Sequence, residues 1–133
     1  MRPYQHEIKY YECDRMGITH HSNYIRLMEE ARVDWMDQIG YGFDRMEQEG
    51  VVSPVIEVQC QYRKPTTFKD VVDIEISVAE VKRMKVSFTY TMRCRGEIVC
   101  TAHSTHCFLE DNRPVALEDR FPELYQKISG RDN

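Results

Sequence analysis

The sequence predicts an α+β domain of two layers, a long amphipathic helix laid on an antiparallel sheet of about five strands. Three observations predict it. Between Ser22 and Ile39 the apolar residues recur with a period near 3.6, the mark of a helix that buries one face. After Pro54 the period switches to 2, as in strands with one buried face. The chain has 133 residues, 41% of them hydrophobic, and no repeat, low-complexity tract or Pro/Gly-rich linker divides it, so residues 1–133 read as a single domain.

Taken in order, a first strand is expected over about Glu7–Cys13. The helix follows, starting at Ser22 or Asn23, either of which suits an N-cap, and ending at Ile39 with Gly40 just beyond. Tyr24, Leu27, Met28, Ala31, Trp35 and Ile39 form its buried stripe, and Arg26, Glu29, Glu30, Asp34 and Asp37 lie off it. A short helical piece over Phe43–Glu49 stops at Gly50.

Strand periodicity then takes over. Ile56, Val58, Cys60 and Tyr62 alternate with polar residues, as do Val72, Ile74, Ile76 and Val78, and again Val86, Phe88, Tyr90 and Met92. Residues 82–85 turn between the second and third of these strands, and Arg95-Gly96 turns into a fourth, Ile98–Leu109. In that strand Val99, Thr101, Thr105 and Leu109 make the second face less polar, which suggests a central or interface position. No element is assigned beyond it. A helix covering one face of such a sheet closes a core, and the exposed sheet edge predicts an oligomer.

Composition excludes several function classes. Eighteen Lys+Arg against 22 Asp+Glu leave a net charge of −4, which argues against a general nucleic-acid binder. No apolar run approaches the roughly 20 residues of a membrane span, and the first residues lack the apolar stretch of a signal peptide, so the chain reads as cytoplasmic. Five scattered cysteines without a C-x-x-C pair imply neither a disulfide framework nor a zinc site, and are expected as small buried apolar residues. His103 and His106 would point to opposite faces of a strand, and His20 and His21 have no third ligand nearby; no metal site is expected. There is no nucleophile elbow, phosphate-binding glycine loop or zincin helix.

What remains is the segment from Asp14 to Tyr24, which joins a carboxylate, Gly17 and a helix N-terminus within eleven residues. Free N–H groups and the positive end of the helix dipole can stabilise an oxyanion forming on a bound carbonyl. A carboxylate nearby could attack that carbonyl or activate water. Asp14 is equally suited to being a turn or capping residue, and the residues alone leave both readings open.

In this segment residues 10–17, His21-Ser22-Asn23-Tyr24 and Glu29-Glu30-Ala31-Arg32 closely resemble the opening of the 4-hydroxybenzoyl-CoA thioesterase-like family. These are hotdog-fold acyl-CoA thioesterases, a group that includes the enzymes associated with the Tol-Pal system. The likeness continues at Tyr62-Arg63-Lys64-Pro65, Asp70, residues 105–109 and Arg113-Pro114-Val115, and so spans nearly the whole chain. The resemblance implies a curved antiparallel sheet wrapped round a long central helix. It also implies a homodimer joined edge to edge, with active sites at the subunit interface; the homo-oligomer expected is that dimer or a tetramer. It implies hydrolysis of acyl-CoA to a free acid and CoA without metal or other cofactor, Asp14 being nucleophile or general base. Gly17 takes the place of the loop glycine, the backbone N–H at His21 that of the oxyanion donor, and Asn23 and Tyr24 match the positions that follow.

Coenzyme A is highly anionic, so its site needs cations: Arg63, Lys64, Lys82, Arg83 and Lys85 are the main candidates, with Arg93 and Arg95 behind them. Any of them would equally serve as an ordinary solvated charge. Two residues depart from the family pattern, Cys13 where Thr is frequent and His20 where Tyr is more usual. A strand would turn Cys13 away from Asp14, which argues against a cysteine nucleophile. Other hotdog clades place the carboxylate on the central helix, where Glu29 and Glu30 stand. Two alternative functions fit the same frame: a hotdog dehydratase acting on a hydroxyacyl thioester, and a non-catalytic acyl-CoA-binding subunit.

Overall fold

A computed structural model describes residues 1–130; the last three residues of the expected 1–133 domain lie outside the described residues. In chain order the elements are β1 (Tyr4–Glu7), a 3-10 turn (Tyr10–Glu12), α1 (Ser22–Gln38), α2 (Phe43–Gln48), β2 (Val51–Val52) and β3 (Val55–Tyr62). There follow β4 (Val71–Val81), β5 (Val86–Cys94), β6 (Glu97–His106), β7 (Leu109–Glu110), β8 (Arg113–Pro114), α3 (Leu117–Arg120) and α4 (Pro122–Ser129).

The five longer strands form one antiparallel sheet in the order β1-β4-β5-β6-β3, and β2-β7-β8 form a small second one. The helix-on-sheet frame expected from the periodicity is therefore the frame observed. Tyr24, Leu27, Met28, Ala31 and Trp35 are all buried along α1 and meet the inward residues Val72, Ile74, Val78, Phe88, Tyr90 and Met92 in one core. Full burial of side chains such as Leu27 and Met28 contributes roughly 1.5–3 kcal/mol apiece. The end of α1 is as expected: Gly40 takes φ +86°, its N–H meets the Asp37 carbonyl at 3.1 Å, and the Tyr41 N–H meets that of Met36 at 3.0 Å. β6 lies between β5 and β3, consistent with its two-faced composition.

Four expectations need correction. The first strand is Tyr4–Glu7, not Glu7–Cys13, because the Glu12 carboxylate accepts the Lys9 backbone N–H at 2.7 Å and folds the chain into a 3-10 turn. The helix start carries no side-chain cap: the Ser22 N–H donates to His20 Nδ1 at 3.2 Å, and the Asn23 amide points back to the Glu12 and His20 carbonyls. The fourth periodic strand ends at His106, and Leu109 belongs to the small sheet. Of the cysteines only Cys94 and Cys100 are fully buried, while Cys13, Cys60 and Cys107 are half-buried.

The core also encloses polar groups. Arg32, on the buried side of α1, donates from one terminal guanidinium nitrogen to the Tyr90 hydroxyl at 3.1 Å. Tyr90 in turn meets Ser104 Oγ at 2.6 Å, and Ser104 meets His106 Nε2 at 2.7 Å. Because Arg32 can only donate, the Tyr90 oxygen accepts and its proton goes to Ser104, whose own proton goes to His106. The row is thus polarised in one direction and ends on a neutral imidazole. Burial first, then the charges of Arg32 and His103, push the His106 pKa down to about 3.

Candidate active site

The segment between the 3-10 turn and α1 forms a tight loop. The Asp14 N–H donates to the Ile18 carbonyl at 2.8 Å, the Gly17 N–H donates to the Asp14 carbonyl at 3.0 Å, and Cys13 pairs with Thr19 across the base. Gly17 reaches this turn with φ +79°, a conformation that costs a residue with a Cβ about 1–2 kcal/mol. Asp14 Oδ1 accepts the Met16 N–H at 2.8 Å, so the turn role is real. It uses one carboxylate oxygen and leaves Oδ2 without a partner among the described residues.

The loop is tied down from outside. Thr67 Oγ1 donates to the Gly17 carbonyl at 2.6 Å, and the Thr19 N–H donates to the Thr66 carbonyl at 2.8 Å. Beneath it the buried Thr66 Oγ1 lies 2.7 Å from Thr19 Oγ1 and 2.9 Å from the Tyr24 hydroxyl. Burial raises the Tyr24 pKa, so this hydroxyl stays protonated and serves as a hydrogen-bonding group. On the other flank Glu12, itself buried, bonds His6 Nε2 at 2.8 Å and Arg26 at 3.3 Å. Desolvation raises the Glu12 pKa, but the His6, Lys9 and Arg26 contacts outweigh it and hold the carboxyl below its usual range.

Asp14, Ile18, Thr19, His21, Tyr24, Tyr62, Arg63, Lys64 and Pro65 enclose a cavity of about 350 Å³. The Tyr62 ring packs edge-on against Tyr24 at 5.3 Å, and its hydroxyl donates to the His21 carbonyl at 3.3 Å. Burial, followed by the nearby Cys60, raises the Tyr62 pKa to about 12. The His21 ring stacks on His20 at 4.3 Å, and among the described residues the His21 backbone N–H takes part in no turn or cap hydrogen bond.

Several expected site residues therefore meet: Asp14, His21, Tyr24, Arg63 and Lys64 share one cavity. Gly17 shapes the loop, and Asn23 braces its base through bonds of 2.9 and 3.2 Å to the Glu12 and His20 carbonyls without lining the cavity. Lys82 and Lys85 lie elsewhere, in a concavity on the outer face of the sheet, and Arg83 pairs with Asp119 at 3.0 Å. Arg93 and Arg95 pair with Glu75 and Asp70, each at 2.6 Å. Cys13 donates to the Lys9 carbonyl at 3.8 Å and does not line the cavity. Of the helix carboxylates, Glu30 accepts the Tyr4 hydroxyl at 2.8 Å and Glu29 lines a different cavity. Thr19 and Thr66 were not expected here: they are isolated hydroxyls in loops, and no periodicity or spacing marks them. Among the described residues no cluster of His, Cys, Asp and Glu could hold a metal ion.

The pattern that defines the Thioesterase-like superfamily matches residues 8–127. A protein of Aquifex aeolicus (strain VF5), provisionally named an esterase, is 30% identical over 121 residues, 91% of this chain and 94% of that protein. The long-chain acyl-CoA thioesterase FadM of Escherichia coli (strain K12) is 23% identical, over 93% of this chain and 96% of its own. The crystal structure of a DHNA-CoA thioesterase from Staphylococcus aureus superposes with a TM-score of 0.93 at 26% identity, covering 97% of this chain and 89% of that one.

Proposed function

Since the chain belongs to the Thioesterase-like superfamily, a family of hotdog-fold enzymes, we propose that it hydrolyses acyl-CoA thioesters to a free carboxylic acid and CoA at the Asp14 cavity. The observation that carries the reading is the carboxylate of Asp14 lining the same cavity as His21 at the α1 N-terminus, with one oxygen held in the turn. The thioester carbonyl oxygen accepts the His21 N–H, where the helix dipole favours developing negative charge. Asp14, as general base, takes a proton from water while the hydroxide adds to the carbonyl carbon. The C–S bond then breaks and the departing CoA sulfur is protonated. Acting instead as nucleophile, the Asp14 carboxylate would add to the carbonyl carbon, the C–S bond would break to release CoA as its thiolate, which takes up a proton, and water would open the resulting mixed anhydride to free acid and Asp14. Arg63 and Lys64 at the cavity wall are placed to meet the CoA phosphates, although Lys64 must exchange its 2.6 Å contact with Glu97 to do so.

The working unit is a homodimer joined along β3. That strand is the long free edge of the sheet, and Val55, Ile56 and Tyr62 on it are 43–49% exposed. The dehydratase alternative needs a His paired with an acid across the subunit interface; within the chain the His21 ring stacks on His20.

The test is turnover of acyl-CoA substrates, long-chain and aromatic, by wild type and Asp14→Asn. Loss of about 10²-fold or more in kcat with the fold intact is expected, the range for a positioned acid-base group. Full activity in the folded variant removes Asp14 from the mechanism. Binding of a non-hydrolysable acyl-CoA without turnover by wild type identifies a binding subunit.

A further inference from the structure

A second cavity of about 350 Å³ opens beside the middle of α1, walled by Val33, Phe43, Val51 and Val55 and containing Arg32. Arg32 is only 7% exposed. Its guanidinium makes one hydrogen bond, to Tyr90, and forms no salt bridge among the described residues. The other N–H groups are not sealed in the core, since no Arg32 nitrogen is among the buried polar atoms left without a partner. Arg32 is one of the residues that line the cavity. Behind Arg32 the row Tyr90–Ser104–His106 is neutral and its hydrogen bonds all run away from the guanidinium, so the core supplies no counter-charge. Burying a cation without an anion is costly, and the bidentate fork of an arginine matches a carboxylate. Glu29 and Glu47 also line this cavity, but both are exposed and neither forms a salt bridge with Arg32 among the described residues.

We propose that the Arg32 cavity binds a carboxylate, and that on the acyl-CoA reading, on which this part rests, it receives an acyl chain ending in one. Within a chain the cavity shares no residue with the Asp14 site. The two cavities sit at opposite ends of β3, Tyr62 in one and Val55 in the other. Two-fold pairing along β3 is antiparallel, so an axis near the strand's middle sets the Val55 end of one protomer beside the Tyr62 end of the other. The Arg32 cavity of each protomer then faces the Asp14 cavity of its partner. A thioester held at one and a terminal carboxylate at the other would span the interface.

The experiment compares adipoyl-CoA with hexanoyl-CoA, which have the same chain length with and without the terminal carboxylate, and titrates free adipate calorimetrically. Wild type is set against Arg32→Met, Arg32→Lys and Val33→Phe. The last fills the cavity from an exposed wall position and keeps the proposal testable if Arg32→Met fails to fold. The ratio of kcat/KM for adipoyl-CoA over hexanoyl-CoA is expected to fall about tenfold or more in Arg32→Met and Val33→Phe, with Arg32→Lys in between, as for loss of a charged hydrogen bond. An unchanged ratio, with free adipate binding wild type but not Arg32→Met, supports the carboxylate site and overturns its role in holding the acyl chain. An unchanged ratio together with adipate binding that is absent or indifferent to Arg32 overturns the proposal. If wild type hydrolyses neither thioester, the adipate titration alone decides whether the cavity binds a carboxylate, and turnover of the long-chain and aromatic substrates separately decides the acyl-CoA reading.

Discussion

Acidification from pH 7 to pH 5 should weaken the fold through His106 specifically. In the folded chain this imidazole is 2% exposed, accepts the Ser104 hydroxyl at 2.7 Å and stays neutral until the pH nears 3. In the unfolded chain it takes its ordinary value of 6.5 and binds a proton well before that. A depressed folded-state pKa contributes stability that is present above 6.5 and is lost as the pH falls towards about 3. At pH 5 proton uptake by the unfolded chain favours unfolding by about 2 kcal/mol, and the figure is insensitive to how far below 5 the folded pKa lies. The comparison is with His106→Gln, whose amide oxygen can accept the same hydroxyl and which does not titrate. Urea unfolding of both proteins at pH 7 and pH 5 gives the stability difference, in which other acid-sensitive groups cancel. Wild type should lose about 2 kcal/mol relative to the variant on acidification. A difference constant within about 0.5 kcal/mol, or an NMR titration of His106 near its ordinary pKa, would refute the reasoning.

Three further outcomes follow from the loop and its supports. Thr66→Val deletes both hydroxyl contacts beneath the loop and should cost about 2 kcal/mol in urea unfolding, at about 1 kcal/mol per bond. Glu12→Gln should cost about 1–3 kcal/mol at neutral pH. Because the Glu12 carboxyl is held below its usual 4.5, its contribution is present above that value and lost as the pH falls beneath it, so the variant should show a shallower acid decline in Tm. At Gly17 an added Cβ would meet nothing within 4 Å, so Gly17→Ala isolates backbone strain: about 1 kcal/mol of stability, with acyl-CoA turnover falling as the Asp14 turn relaxes.

The parts of the fold that were legible in the sequence are those in which one period governs many residues. Helix α1 and strands β3 to β6 all have enough turns or alternations for burial of one face to be read directly, and Gly40 marked the helix end by its conformational freedom. Elements set by single side chains were not legible. The 3-10 turn depends on Glu12 reaching the Lys9 N–H, and the small sheet is made of two-residue strands too short to show a period. At the C-terminal end Leu117, Phe121, Leu124 and Ile128 are all buried at helical spacing, but Pro122 splits that pattern into two short helices. The site divides in the same way. Asp14, His21 and Tyr24 are neighbours in sequence and stood out as a constellation, whereas Thr66 joins Tyr24 across 42 residues with no local mark. Arg32 is a charge on the buried side of a helix, the kind of residue that an amphipathic pattern treats as noise.

The two edges of the main sheet are unequal, and that inequality limits how the protein can grow. On one side β1 covers β4 only over Val71–Ile74, and beyond it β4 is broken by a bulge at Val78/Glu80 and carries Glu75 and Glu80. On the other side β3 offers eight residues with apolar ends, although it too has an irregularity, at Val55/Glu57. In the language of polymer chemistry the proposed pairing would give the sheet a valence of one: a unit with one reactive end couples once and stops. The proposed pairing through β3 would therefore terminate at two copies and give a closed pair, and any larger assembly would be built through faces.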